Sequence, residues 1–159
     1  MTAARCRMTE TVTRVSPDRI VAEARSWIGT PYRHQGSLKG VGCDCLGLVR
    51  GVWRALYGDE PEAVPPYARD WAESASSEPL AEAGFRNLAA VELARIAPGD
   101  VLLFRWRAGM VAKHAAIVSA PDRMIHAHDG AAVAEVALAP WWRRRMAYAF
   151  RFPDVADLT

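Results

Sequence analysis

The hydrophobic pattern of this chain changes period at Pro98-Gly99-Asp100, a turn signal in the second half of the sequence. Before the turn, apolar residues recur at the spacing of amphipathic helices. After it, short apolar runs alternate with turn residues, as in strands joined by hairpins. Helices followed by a run of strands predict an α+β fold with an antiparallel sheet. A length of 159 residues is enough for one such domain with its own core.

We expect this single domain to occupy residues 16–153. Residues 1–15 are polar and are predicted to be a flexible lead, and residues 154–159 are predicted to be a short tail. The lead contains no apolar run, so the sequence predicts neither a secretory signal nor membrane insertion. Synthesis in the cytoplasm is the corresponding expectation.

Residues 59–97 interrupt the helical pattern. They contain several prolines, which break any long element, and we predict an irregular, partly helical insertion here. One helical turn is expected at 80–85. Residues 88–96 fit either a second helix or an irregular pairing segment.

Two helices are predicted before this insertion. The first begins with Ser16 as N-cap and Pro17 in the first turn, and its predicted apolar face comprises Ile20, Ala24, Trp27 and Ile28. The second lies between Asp44, a good N-cap, and Gly58, a good residue to follow the helix. Its apolar stripe comprises Val49, Val52, Trp53 and Leu56.

Cys45 immediately follows the predicted cap of the second helix. Unpaired backbone N–H groups and the positive end of the helix dipole stabilise a thiolate in this first turn, so we expect the pKa of Cys45 to be lowered. This is a suitable position for a nucleophile. The helix alone leaves a second interpretation open, because free cysteines are also common as small buried apolar residues.

The second half of the chain supplies two histidines that fit such a nucleophile. Strands are predicted at 101–106, 114–119, 123–126 and 133–138, with a last strand of alternating Met146, Tyr148, Phe150 and Phe152. His114 begins one strand and His126 ends the next, and an antiparallel hairpin brings the two together because neighbouring strands lie about 5 Å apart. His128 shares the face of His126, so either could orient His114.

The sequence also contains residues that could form a zinc site or a nucleic-acid-binding segment, and we expect neither. Cys43, Cys45, His126 and His128 carry the side chains that zinc prefers, but one residue between paired cysteines is too few for a usual structural site, and we expect no metal or cofactor. The segment of Trp141, Trp142 and Arg143–Arg145 could bind nucleic acid or an anionic glycan. A formal net charge of +2 gives no wider basic field, so we expect these tryptophans to cover a sheet edge and expect no nucleic-acid partner.

Five motifs in order resemble the NlpC-type cell-wall cysteine peptidases. They are Trp-Ile-Gly-Thr-Pro-Tyr-Arg, Asp-Cys-Leu-Gly-Leu-Val, Pro-Gly-Asp-Val-Leu-Leu-Phe, His-Ala-Ala-Ile-Val and Ile-His-Ala, and they span about residues 17–152. The resemblance implies a compact papain-like fold in which the cysteine helix packs on the sheet that carries the histidines. It also implies cleavage of peptide bonds in peptidoglycan stem peptides, without a metal.

The resemblance also implies roles for particular residues. Cys45 corresponds to the nucleophile, His114 to the general base and His126 to the residue that orients the base. Tyr32 corresponds to a tyrosine near the oxyanion site. The remaining residues expected to line the substrate site are Asp44, Cys43, His34 and His128. His34 and Leu46 depart from the commonest family pattern, which affects the substrate pocket rather than the triad.

Further features resemble the branch of the family encoded with phage or phage-derived tail genes. These are the form Cys-Asp-Cys-Leu-Gly, the proline-rich middle and the ending from Trp141 to Phe152. The implied partners are proteins of the tail tip or baseplate hub, and the implied place of action is the periplasmic cell wall. Two alternatives are a catalytically silent docking component of the tail tip and an enzyme that transfers an acyl group to an acceptor other than water.

Overall fold

The computed structural model describes residues 14–68 and 77–156. The α+β fold predicted from the change of period is confirmed. In chain order the elements are α1 (Pro17–Arg25), β1 (Ser37–Leu38), β2 (Gly42–Cys43), α2 (Cys45–Tyr57), α3 (Pro79–Asn87), β3 (Ala89–Val91), a 3₁₀ helix (Leu93–Arg95), β4 (Val101–Phe104), β5 (His114–Ala120), β6 (Arg123–His126), β7 (Ala134–Ala137), α4 (Pro140–Arg143) and β8 (Met146–Arg151).

The main sheet has six strands in the order β3-β8-β4-β5-β6-β7, and every neighbouring pair is antiparallel. Successive residues of each strand point to opposite faces of the sheet, and each face packs against an apolar layer. On one face, Val101, Ile117 and Ile125 pack with buried residues of α1, α2 and α3. On the other face, Leu102, Val118 and Met124 pack with Leu138 and Trp142. The central strands are therefore apolar on both sides.

Helix α2 begins as the sequence predicts. The carboxylate of Asp44 accepts a hydrogen bond from the backbone N–H of Gly47 at 2.8 Å, and Gly58 follows the helix with φ 85°. The fully buried side chains are Leu48 and Val52, and the predicted stripe residues Val49, Trp53 and Leu56 pack beside them while remaining partly exposed. This packing places the first turn of α2 next to the start of β5.

Helix α1 is shorter than predicted. Regular helix ends at Arg25, and after the cap residue Ser26 the backbone N–H groups of Trp27 and Ile28 bond only to carbonyls three residues back. This tighter turn changes the direction of successive side chains. Trp27 stays buried, whereas Ile28, predicted on the apolar face, is 47% exposed.

The predicted domain boundaries are too narrow. Val15 is buried and forms a parallel bridge with Val155, in which the N–H of Val15 donates to the carbonyl of Asp154 and the N–H of Ala156 donates to the carbonyl of Val15. Residues 15 and 154–156 therefore belong to the folded domain. The predicted lead and tail otherwise lie mostly outside the described residues.

The middle of the chain is only partly an insertion. The helical turn predicted at 80–85 is a longer helix, α3, with Pro79 in its first turn. Residues 89–91, for which pairing was one of two alternatives, form strand β3 and pair with β8 at the sheet edge. Residues 69–76 lie outside the described part of the chain. Within that part, none of the helices is both long enough and apolar enough to cross a membrane.

Candidate active site

A cleft of about 190 Å³ lies where the first turn of α2 meets the start of β5 and the end of β6. Its walls include Cys45 and His114, the two residues for which the sequence predicts nucleophile and base. The remaining lining residues are Tyr32, His34, Asp44, Leu46, Tyr67, Leu80, Trp106, Lys113, Ala127, His128 and Asp129. The fold thus gathers most of the predicted site residues into one cleft.

The thiol of Cys45 is placed against the backbone on both sides of His114. Its sulfur lies 4.0 Å from the carbonyl oxygen of Lys113, and the backbone N–H of Ala115 is directed at it. The N–H groups of Cys45 and Leu46, at the start of α2, also point to the sulfur. These N–H groups are donors that can stabilise negative charge on the sulfur or on an oxygen close to it.

The two histidines expected to act together are in direct contact. Nε2 of His114 and Nδ1 of His126 are 2.9 Å apart, and both side chains are buried. The hairpin register explains this, because Ile117 pairs with Ile125 and so brings the start of β5 beside the end of β6. His128 is exposed; its ring centre lies 5.6 Å from that of His114, and its Nδ1 is 3.3 Å from the carbonyl oxygen of Asp129.

Two tryptophans that the sequence did not place at the site enclose the histidine pair. Trp106 and Trp142 both stack on His114, with ring centres at 5.4 and 5.6 Å and interplanar angles of 24° and 30°. Trp142 also presents its ring edge-on to His126 at 5.2 Å. The sequence predicts that Trp141 and Trp142 cover a sheet edge; Trp142 instead packs on the face of the sheet and over the histidine pair, and Trp141 is exposed. No local motif marks this role, because the tryptophans approach from separate elements.

The prediction of a lowered Cys45 pKa is wrong for this structure. Burial, followed by the negative charge of Asp44, raises the pKa of the thiol to about 12, and this outweighs the three backbone N–H groups that lower it. Burial, followed by the positive charge that His126 and His128 would carry, holds the pKa of His114 well below its usual range. Both shifts favour the uncharged thiol and the uncharged imidazole at neutral pH.

This charge state predicts the pH dependence of thiol alkylation. Iodoacetamide reacts with the thiolate, so we expect the rate at Cys45 to rise continuously with pH between about 7 and 10, because the thiol with a raised pKa ionises only in alkali. The rate is measured by mass spectrometry of the Cys45 peptide, with Cys45→Ala protein as the control for other thiols. A rate plateau between about pH 5 and 8 would indicate a preformed thiolate–imidazolium pair and contradict the prediction.

Comparison with known proteins assigns the chain to a family. Residues 29–151 match the model of the NlpC/P60 family, and these residues contain the whole cleft. The chain belongs to the NlpC/P60 family. The matched span runs from before β1 to the last residue of β8 and includes both helix α2 and the histidine hairpin.

Solved NlpC/P60 structures share the fold. The NlpC/p60 domain of the peptidoglycan hydrolase SagA is 26% identical, with a TM-score of 0.62, and the match covers 87% of this chain and 100% of that one. An NlpC/P60 protein from Bacillus cereus is 21% identical with a TM-score of 0.64, covering 87% and 41%, respectively. NlpC1 from Trichomonas vaginalis is 17% identical with a TM-score of 0.58, covering 86% and 43%. The comparison with curated proteins finds no match.

The cleft contains all but one of the residues predicted to line the substrate site of this NlpC/P60 domain. Tyr32, His34, Asp44 and His128 line it. Cys43 does not; it is fully buried in the core beside α2, and burial followed by the charge of Asp44 raises its pKa to about 11. Cys43 lies in the short strand β2, between β1 and Tyr32, and its side chain packs in the core with residues of α2. Among residues 14–68 and 77–156, no three His, Cys, Asp or Glu side chains are grouped to hold a metal ion.

Proposed function

We propose that the chain is a cysteine endopeptidase that hydrolyses peptide bonds in peptidoglycan stem peptides, with Cys45, His114 and His126 as its catalytic triad. The observation that carries this proposal is the bonded His114–His126 pair at 2.9 Å, next to a cysteine at the start of a capped helix. Membership of the NlpC/P60 family supports it, and so does the likeness to SagA, a peptidoglycan hydrolase matched over its whole domain.

The hydrogen bond between the histidines determines which nitrogen acts as the base. His114 must carry its proton on Nε2 and donate it to Nδ1 of His126, because only this tautomer leaves a lone pair on Nδ1 of His114 for the thiol proton. When Nδ1 accepts that proton, the imidazolium keeps its Nε2–H bond to His126. His126 thus orients the base and stabilises its charged form.

The proposed reaction then follows from a neutral Cys45–His114 pair. As the sulfur bonds to the carbonyl carbon of the peptide, its proton passes to His114, and the carbonyl oxygen becomes an oxyanion held by the backbone N–H of Cys45, with help from Tyr32. His114 gives its proton to the leaving amine as the C–N bond breaks. Water then gives a proton to His114 as its oxygen bonds to the acyl carbon, the C–S bond breaks to release the carboxylic acid, and His114 returns the proton to the sulfur of Cys45.

Digestion of purified peptidoglycan tests the function. We expect the wild-type protein to release peptide fragments with new amino and carboxyl ends, identified by mass spectrometry, and the Cys45→Ala protein to release none. Circular dichroism verifies that both proteins are folded. Identical, product-free digests from two folded proteins would contradict the proposal and favour a silent docking component. Fragments attached to an amine acceptor would instead identify an acyl transferase.

The third triad position has its own test, because His126 and His128 lie on the same face. We expect His126→Ala to lower kcat by about 10²-fold or more, since the base loses the group that orients it and stabilises its charge. His126→Asn should recover part of the loss through its side-chain oxygen, which can accept the His114 proton. The matched control is His128→Ala, expected to retain kcat within about 3-fold, because His128 lines the cleft but its Nδ1 contacts the carbonyl oxygen of Asp129 rather than His114, so any loss should appear in KM. Full activity in His126→Ala would refute the assignment.

We further propose that the protein is carried in a phage-like tail and acts on the periplasmic cell wall, with tail-tip or baseplate hub proteins as partners. Support for this comes from the sequence features that resemble the phage-tail branch of the family. Mass spectrometry of purified tail particles tests the idea. We expect the protein at constant stoichiometry to the hub proteins, and its occurrence only outside the particles would contradict this.

A further inference from the structure

Tyr67 lies in the wall of the catalytic cleft, although the sequence places it in an irregular, proline-rich segment. Its hydroxyl donates a hydrogen bond to Oδ2 of Asp44, the residue directly before Cys45. Its ring meets the ring of His34 edge-on, with centres 5.1 Å apart and an interplanar angle of 87°. The side chain is half-buried and faces the same cleft as Cys45.

Two side chains from the loop before α2 hold the backbone of Tyr67. Its carbonyl oxygen accepts hydrogen bonds from Nε2 of His34 at 2.7 Å and Nε2 of Gln35 at 2.8 Å. Its N–H donates to Oε1 of Gln35 at 3.4 Å. The side-chain amide of Gln35 therefore pairs with the peptide groups of Tyr67 as a neighbouring strand would.

The same loop links this contact to the nucleophile helix. Gln35 has φ 61°, a left-handed conformation that an L-residue adopts rarely, and in this conformation its N–H donates to Oδ2 of Asp44 at 2.8 Å. Asp44 thus binds Gln35, Tyr67 and the first turn of α2 at once. Strain of this kind persists only where the surrounding contacts hold it in place, and it is concentrated at functional sites.

The segment leading to Tyr67 is anchored at its other end as well. Glu60 pairs with Arg54 at 3.2 Å and also with Arg50, both on α2. Between the anchors, Pro61, Pro65 and Pro66 restrict the backbone. Residues 59–68 thus form a conformationally restricted segment that runs back along α2 toward its first turn. This segment places the Tyr67 ring in the wall of the cleft.

We infer that Tyr67 is a specificity-determining residue, whose ring forms the wall against which the substrate packs beside Asp44. The inference rests on the proposed function and names the surface that receives the stem peptide. The cleft of about 190 Å³ shares Leu46, Tyr67 and Leu80 as lining residues with a second cavity of about 460 Å³, so the Tyr67 ring limits the space on the Asp44 side and favours residues with small side chains there. An aromatic face offers such residues apolar contact with little loss of conformational entropy.

Binding of stem peptide to catalytically inactive protein tests this inference. We use the Cys45→Ala background, a soluble stem peptide released from purified peptidoglycan, and calorimetry to measure Kd. Tyr67→Ala should weaken binding about 10-fold, as expected for the loss of one apolar contact, whereas Tyr67→Phe keeps the ring and should stay within about 3-fold. Gln35→Ala is expected to weaken binding as well, because the side-chain amide of Gln35, which does not line the cleft, bonds to the backbone of Tyr67 and so positions its ring.

The effects of Gln35→Ala and Tyr67→Ala should not add, because both act through the position of one ring. The control is Tyr57→Phe, which removes a hydroxyl bonded to the Pro153 carbonyl at the opposite end of α2 and should leave Kd unchanged. Should Tyr67→Ala not fold, Gln35→Ala and Tyr67→Phe provide the test. An unchanged Kd in folded Tyr67→Ala and Gln35→Ala proteins overturns the inference and leaves the proposed function intact. Absence of binding to the folded parent overturns the proposed substrate, and with it the inference.

Discussion

Alanine at Cys45 or at His114 is expected to lower kcat for release of stem peptides by about 10⁴-fold or more, and the double variant is expected to lose no more than either single variant. The reason is that thiol and imidazole act as one unit. Without His114, the thiol, whose pKa burial raises to about 12, has no acceptor for its proton. Without Cys45, the base has no nucleophile to activate.

The double variant distinguishes this mechanism from two independent contributions. Additive losses in Cys45→Ala, His114→Ala and the double variant would show that the residues do not share a step. Cys43→Ala is the matched control, since it removes the neighbouring thiol from the core. We expect it to retain kcat and to lower the free energy of unfolding by about 1 kcal/mol, the usual effect of removing a small buried group.

Gly47→Ala is expected to lower the free energy of unfolding by about 3 kcal/mol or more, a loss of the size seen when a tightly packed site is overfilled. In an ordinary helix the same change stabilises by up to about 1 kcal/mol, so the expected sign is reversed. The cause is a close approach of backbones: a Cβ at position 47 would lie 1.8 Å from the carbonyl oxygen of Gly36. The backbone carbonyl of Gly36 cannot rotate away from the added methyl group as a flexible side chain could.

Denaturant titration measures this loss, and Gly51→Ala is the matched comparison one turn further along α2. A Cβ at position 51 would lie 2.0 Å from the ring of Trp27, a side chain that can shift in part. We therefore expect a smaller loss for Gly51→Ala than for Gly47→Ala. Equal or higher stability of Gly47→Ala relative to wild type would show that the loop before α2 is not held as tightly as described.

The stability effect at Gly47 and the shape of the cleft are connected through the loop that precedes α2. Gly47 lets this loop lie directly on the first turn of the helix, so that Gln35 and His34 reach Tyr67 while Asp44 caps the helix. Moving the loop would disturb the wall of the cleft as well as the core. In Gly47→Ala protein that still folds, we expect weakened stem-peptide binding to accompany the loss of stability.

Much of the fold was predictable because its signals are local. Asp44 and Gly58 define the ends of α2 through bonds to their own neighbours, and the short apolar runs separated by turn residues after Gly99 mark strands. The proximity of His114 and His126 was predictable for the same reason, since a short hairpin joins their strands. In contrast, the end of α1 was predicted incorrectly at Ile28, because helix and tight-turn patterns differ little over one turn.

The sequence by itself therefore determined the α+β architecture, the nucleophile helix and the histidine hairpin, all of which depend on contacts between near neighbours. Only the tertiary structure decided that Cys43 is buried, that Trp106 and Trp142 enclose His114, and that Tyr67 enters the cleft. It also decided the direction in which the pKa of Cys45 is shifted, because burial outweighs the backbone N–H groups around the sulfur. Burial and long-range contact depend on how distant segments pack, and no local pattern of residues records that packing.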